Sequence, residues 1–376
     1  MLSARSLGVR TPAEGSGIGR YFAEAPVVDF MRREGIGGAR DAGAAAARCS
    51  GTATQPAFFV AGRDIPRLVT RPEMGYADRD WREREVRMRR GTITGSGTAS
   101  MMTLPELAAD ALEEFLRSYM RRRFGPSLAL VEMVPAAARI ALECIGNSDA
   151  LYHNVEHTLL VTLAGHDILR GRALHSHMTV DDYSNVIVAC LAHDIGYVRG
   201  LFKDDDEDGF VIDASGGKIT LPRGASDAGL MHHHVDRSKL YVMRRMEGTP
   251  FDSRRIADAI EGTRFPPRVD QSCSEEASIV RAADLIGQLG DPNYIRKSNA
   301  LYHEFEEVGV NRQLGYDSPA DIVNRYPQFY FNSVAPHIQT EIRYLNMTSS
   351  GRQWISTLYS NVFRAEREIA LSGPQQ

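Results

Sequence analysis

From Leu104 to about residue 370, apolar residues recur at the three- and four-residue intervals of an α-helix, and no other feature limits the possible folds so strongly. In PELAADALEEFLRSYMRRRF, Leu107, Leu112, Phe115, Leu116 and Tyr119 keep roughly this spacing, with acids early and arginines late, as the helix dipole favours. Further helices are predicted at 129–145, 153–171, 181–197, 226–246, 252–262, 275–289, 291–307, 319–346 and 351–370. One stretch breaks the pattern. KDDDEDGFVIDASGGKITLPRG, Lys203 to Gly224, reads as an acidic loop followed by a hairpin over 209–222, FVID and KITL joined by ASGG. The expected class is all-α, a helical bundle with one small β-hairpin insertion.

The first hundred residues are of another kind. They hold 14 of the 33 glycines, 16 arginines, no lysine and only 11 acids, and so carry about +5 against −9 for the remainder. Runs such as GIGGARDAGAAAA and GTITGSGTAS bury little apolar surface per residue. That composition predicts a largely disordered extension over 1–100 and a folded domain over 101–376, long enough to bury a sizeable core.

Cys49, Cys144, Cys190 and Cys273 are far apart and form no C-x-x-C pair, so neither a disulfide framework nor a thiolate zinc site is signalled. A reducing, cytoplasmic setting is expected. No apolar run approaches the roughly 18 to 20 residues that span a bilayer. The net charge of −4 gives no global attraction to nucleic acid or an anionic membrane. Arginine outnumbers lysine 40 to 4 along the whole chain, a bias from which a GC-rich genome, and a bacterial one, is expected.

Four polar residues interrupt apolar helix faces. In DALYHNVEHTLLV, His153 and His157 are four residues apart and share a face with Leu160, Ala164 and Ile168, which makes the helix amphipathic with both histidines turned inward. NVIVACLAHDIGYVRG runs apolar through Val186, Ala189 and Cys190 and then presents His193 and Asp194 side by side. In SIVRAADLIGQLGD, Asp284 stands among Ile279, Val280, Ala282, Ala283, Leu285 and Ile286. A buried carboxylate must be paired or bound to a cation, because an isolated charge costs several kcal/mol to bury. Imidazole nitrogen with carboxylate oxygen suits zinc, manganese or iron, with magnesium at a more oxygen-rich second position.

The order His157, then His193 with Asp194, then Asp284 resembles the HD superfamily of metal-dependent phosphohydrolases, helical proteins that bind metal through a His, an adjacent His-Asp pair and a later Asp. YHNVEH is also similar to the Y-H-N-x-x-H motif of cyclic nucleotide phosphodiesterases, in which the first His is an acid and the second a ligand. The resemblance covers about Tyr152 to Leu289 and implies an HD-type domain holding one or two divalent ions, with His153 protonating the leaving oxygen. His157, His193, Asp194 and Asp284 would then be ligands, with Asp194 bridging if two ions bind. The implied substrate is a small-molecule phosphate ester, such as a nucleotide or cyclic nucleotide, hydrolysed as a diester or monoester.

The chain departs from each HD subfamily in part. Tyr197 stands where the phosphodiesterases carry a further His, and the bacterial HD-GYP group shares HDIG but its GYP is missing after His234. In MHHHVDRSK, His233 and His234 are candidates for a second metal position, as in several HD subfamilies, and Arg237 or Lys239 for a phosphate contact. Three consecutive histidines on a helix point about 100° apart, so at most two can face one site. Gln328 and Phe331 in YPQFYF resemble the base-clamping Gln-x-x-Phe of the phosphodiesterases. Two other classes stay open. Some HD-fold proteins with additional histidines are diiron oxygenases, and a catalytically silent HD module would bind a nucleotide without turning it over.

Overall fold

The computed structural model describes residues 103–265 and 273–372, without the side chains of 369–372. The extension expected over residues 1–100 lies outside the described residues. Among them the chain is all-α, with one two-stranded sheet. The helices are α1 (Leu104–Phe124), α2 (Ala129–Ile145), α3 (Val155–His175), α4 (Val180–Ala192), α5 (His234–Arg245), α6 (Ser253–Glu261), α7 (Glu275–Leu289), α8 (Tyr294–Glu307), α9 (Val310–Leu314), α10 (Pro319–Phe329), α11 (Ala335–Asn346) and α12 (Ser349–Ser372).

Short polar side chains set several of the helix starts. Thr103 and Glu106 exchange hydrogen bonds in a capping box before α1, and Thr179 with Asp182 does the same before α4. Asn154 Oδ1 accepts from the backbone N–H groups of Glu156 and His157, which satisfies two donors that a helix leaves open at its N-terminus. α3 therefore begins after His153, which is a loop residue and not the first residue of a helix.

α3 keeps the amphipathic character read from its sequence: His157, Thr158, Val161, Thr162, Ala164, Gly165, Ile168 and Leu169 are all buried and share one broad face, with the exposed Glu156 and Leu174 on the opposite side. The helix is central, packed against α4, α7 and α11. Contact with α7 is at backbone range: a Cβ on Gly287 would lie 2.8 Å from Val161 Cα, so only glycine permits this approach. Val161 is one turn beyond His157, and Gly287 is about one turn beyond Asp284, so the same close crossing brings those two polar residues together.

Two helices end earlier than their apolar pattern suggests. The helix predicted over 181–197 stops as α4 at Ala192 and continues as a tighter 3-10 turn over Ile195–Tyr197. The one predicted over 319–346 is divided by a π turn, Tyr330–Val334, between α10 and α11. Pro336 accounts for the π turn, because it has no N–H to donate and its ring crowds the carbonyl four residues back.

The hairpin forms between β1 (Phe210–Val211) and β2 (Lys218–Ile219), paired antiparallel with Phe210 opposite Ile219. It is shorter than its sequence pattern. The main core surrounds α3, α4 and α7, and a smaller one of Tyr152, Leu301, Tyr316 and Ile322 lies among α8, α9 and α10. Cys144, Cys190 and Cys273 are free thiols. Among the described residues no helix is long and apolar enough to cross a membrane.

Candidate metal centre

The break at the end of α4 builds the site. On a continuous α-helix His193 and Asp194 would diverge by about 100°, but Asp194 has φ −106° and ψ 2°, outside the helical range, and both side chains turn toward α3 and α7. His193 Nε2 lies 3.1 Å from Asp194 Oδ2 and 3.3 Å from His157 Nε2. His157 Nε2 is 3.3 Å from Asp194 Oδ2 and 3.3 Å from Asp284 Oδ1, while His193 Nε2 is 3.6 Å from that same oxygen. His157, His193 and Asp194 form a buried group able to hold a metal ion.

Two observations test whether these residues suit a cation. Asp194 Oδ2 is buried and accepts no hydrogen bond, although two imidazoles face it. An unpaired carboxylate oxygen in the interior is costly, and a cation removes that cost. Secondly, His193 Nδ1 donates to the Cys190 carbonyl at 2.8 Å, so the neutral ring keeps its one proton there and turns the Nε2 lone pair to the cluster, where a cation would take the place of a second proton. The residues fit a metal.

Electrostatics agree. Burial alone would raise the carboxyls of Asp194 and Asp284, but the facing imidazoles hold both well below the usual carboxylate range. Burial likewise opposes charge on His193, and the two carboxylates nevertheless hold it well above the usual histidine range. The pocket is built for positive charge.

His234, at the start of α5, adds a further nitrogen. Its Nδ1 donates to the Met231 carbonyl at 2.5 Å and its Nε2 lies 3.6 Å from Asp194 Oδ1. Burial lowers its pKa to about 4, so the ring is neutral, the form a metal requires. Asp194 thus offers Oδ2 to one pair of imidazoles and Oδ1 to a third. His233 does not share this position. His232 and His233 sit in the turn before α5 and His234 opens the helix, and it is His232 and His234 that line the adjoining cavity.

His153 stands beside the cluster with Nδ1 2.5 Å from Glu304 Oε2; the other oxygen of Glu304 accepts from the backbone N–H of Tyr152 and His153. Burial opposes the charge on His153, but the Glu304 carboxylate raises its pKa to about 9. Nε2 is the nitrogen left for a ligand. Tyr197, between the rings of His153 and His234, stacks on both with centroids 4.6 and 4.5 Å away. The tyrosine that departs from the phosphodiesterase pattern is therefore a spacer that fixes two imidazoles.

A cavity of about 410 Å³ opens at Asp194, Asp284, His153 and His234. Four residues expected to contact substrate there do not line it. Arg237 is a correction. It has no exposed surface, and its guanidinium donates to the carbonyls of Gly196 at 2.7 Å, Val198 at 2.8 Å and Val211, and to Asp205 at 3.0 Å. No donor is left for phosphate. Phe331 packs against Tyr330 and the core, and neither it nor Gln328 lines the cavity, because Ile322, Tyr326 and Phe329 form the face of α10 that does. Lys239 pairs with Glu261 at 2.8 Å. No residue of the hairpin lines the cavity.

Other contributors escaped the sequence reading. Glu304 lies in HEFEE, a pattern that reads as a solvated face. Arg281 and Gln288 flank Asp284 on α7 at one-turn spacing and line the cavity, a signal that spacing from Asp284 could have supplied.

A family model described as Npun_R2479-like matches residues 102–368. The chain belongs to the Npun_R2479-like family. The matched region includes every residue of the cluster and of the cavity. No curated protein and no solved structure matches the chain.

Proposed function

We propose that this Npun_R2479-like protein is an HD-type, metal-dependent phosphohydrolase acting on a small-molecule phosphate ester. The observation that carries the reading is the buried Asp194 Oδ2 without a hydrogen bond, faced by the Nε2 atoms of His157 and His193 at 3.3 and 3.1 Å. His157, His193, Asp194 and Asp284 would hold one divalent ion, and Asp194 Oδ1 with His234 a second. When bound, zinc, manganese, iron or magnesium supplies Lewis acidity to the phosphoryl oxygens and lowers the pKa of water.

The chain's own groups do the rest. Water oxygen bonds to phosphorus, the ester P–O bond breaks, and the departing alkoxide needs a proton. His153 can deliver it from Nε2, since Glu304 engages Nδ1 and fixes the ring. Tyr197 keeps His153 and His234 a ring's thickness apart on either side.

The test is hydrolysis of an aryl phosphodiester and an aryl phosphomonoester by the purified protein with manganese or magnesium, beside Asp194→Ala and with metal content measured. Hydrolysis lost in the variant supports the reading. Two tightly bound irons without hydrolysis would replace it with a diiron oxygenase, and neither metal nor turnover would leave a binding module.

A further inference from the structure

The cavity has two unlike ends. The near end is the polar cluster, and the far wall is Leu301, Phe305, Val310, Leu314, Ile322 and Phe329 from α8, α9 and α10. Polar side chains along the way are mostly engaged by the protein. The Tyr326 hydroxyl donates to the Leu289 carbonyl at 3.4 Å, the Thr263 hydroxyl to Ile260 at 2.8 Å, and Gln288 hydrogen-bonds Tyr294. Arg264 is held by Glu261 and by Asp236. Arg281 differs: its Nε donates to the Gly262 carbonyl at 2.8 Å, and no carboxylate among the described residues pairs with its Nη atoms.

We propose that the alcohol part of the phosphate ester is a hydrocarbon-rich chain, in place of the nucleoside that the HD resemblance implies. The proposal rests on the phosphohydrolase reading for its chemistry and on the cavity lining for its substrate class. A nucleoside carries several donors and acceptors on base and sugar. Each one buried without a partner weakens binding by about fivefold to a hundredfold, whereas each buried methylene strengthens it by about three- to fourfold. The far wall offers aliphatic and phenyl surface and the engaged tyrosine, threonine and glutamine groups offer little else. Arg281, one turn before Asp284, is a single guanidinium beside the cluster with no carboxylate in ion-pair contact among the described residues, Glu341 acting on it only at longer range, which suits one phosphate and not a polyphosphate tail.

The experiment titrates ethyl, hexyl and decyl phosphate and adenosine 5′-monophosphate into the metal-loaded protein by calorimetry, with phosphate release measured in parallel. Affinity should rise from ethyl to hexyl by at least tenfold, hexyl phosphate should bind more tightly than the nucleotide, and the rise with length should shrink in Leu314→Gln and in Phe305→Gln. A flat series, tighter binding of the nucleotide, or a rise untouched in both folded variants would overturn the proposal, whatever the hydrolysis shows. A rise with length but no phosphate release would sustain the apolar class and sink the phosphohydrolase reading instead.

Discussion

Two buried ionic groups lie on either side of the turn at Gly196, and they are finished to different degrees. The side chains of Arg237 and Asp205 are both without exposed surface, and the five N–H groups of the guanidinium reach the Gly196, Val198 and Val211 carbonyls and both Asp205 oxygens. Across the turn, Asp194 Oδ2 accepts no hydrogen bond. Folding saturates the first group and leaves an acceptor of the second open. A saturated buried group is scaffold, and an unsaturated one next to a cavity is a place for a ligand.

The largest effect should come from breaking the saturated group. Arg237→Met strands Asp205 and three carbonyls, a loss of about 3 to 5 kcal/mol, and thermal denaturation should fall by roughly 10 °C. A melting point within a degree or two of wild type would abolish the contrast. Next comes the unsaturated group. Stripping metal with a chelator should lower the wild-type melting point by an amount set by metal concentration, about 2.7 kcal/mol at a hundred times Kd, while Asp194→Asn should melt alike with and without metal. If the chelator shifts both proteins equally, the ion is held elsewhere.

A smaller effect sharpens the site itself. Glu304→Gln removes the charge that positions His153 and should reduce kcat about tenfold to a hundredfold for an alkyl leaving group, with metal content unchanged. For 4-nitrophenolate, which needs little protonation, the loss should be slight. Equal losses for both leaving groups would assign Glu304 to folding alone.

The same contrast explains what the sequence disclosed. The spans of α2 and α7 follow directly from apolar spacing, and His157, His193, Asp194 and Asp284 were visible because each interrupts an apolar run. Arg237 was misread because its partners, the carbonyls of 196, 198 and 211, come from remote loops that no local pattern announces. Gln328 and Phe331 were misplaced because Ile322, Tyr326 and Phe329 take the cavity face of α10 and a π turn resets the helical phase after Phe329. Gly287 looked like an ordinary helix residue, yet its missing side chain lets α3 and α7 meet. Contacts between elements distant in sequence carry this information, and periodicity does not.

Between the two extremes lies the rim of the cavity, where Glu261 accepts from Arg264 Nε at 2.5 Å and from Lys239 at 2.8 Å. Burial alone would raise the Glu261 carboxyl, but Arg264 and Lys239 hold it down at about 2. A folded-state pKa depressed in this way contributes stability that is complete above the ordinary value of 4.5 and disappears as pH falls through 2. Glu261→Gln should therefore cost at most about 1 kcal/mol, since the partners keep some solvent contact. The cost should be constant from pH 5 to 8 and shrink steadily below about pH 4.5, as wild type loses what the variant never had. Denaturant unfolding of both proteins across that range measures it. A difference that persists unchanged into acid would mean the Glu261 contacts act through shape and not charge, placing the rim with the saturated scaffold.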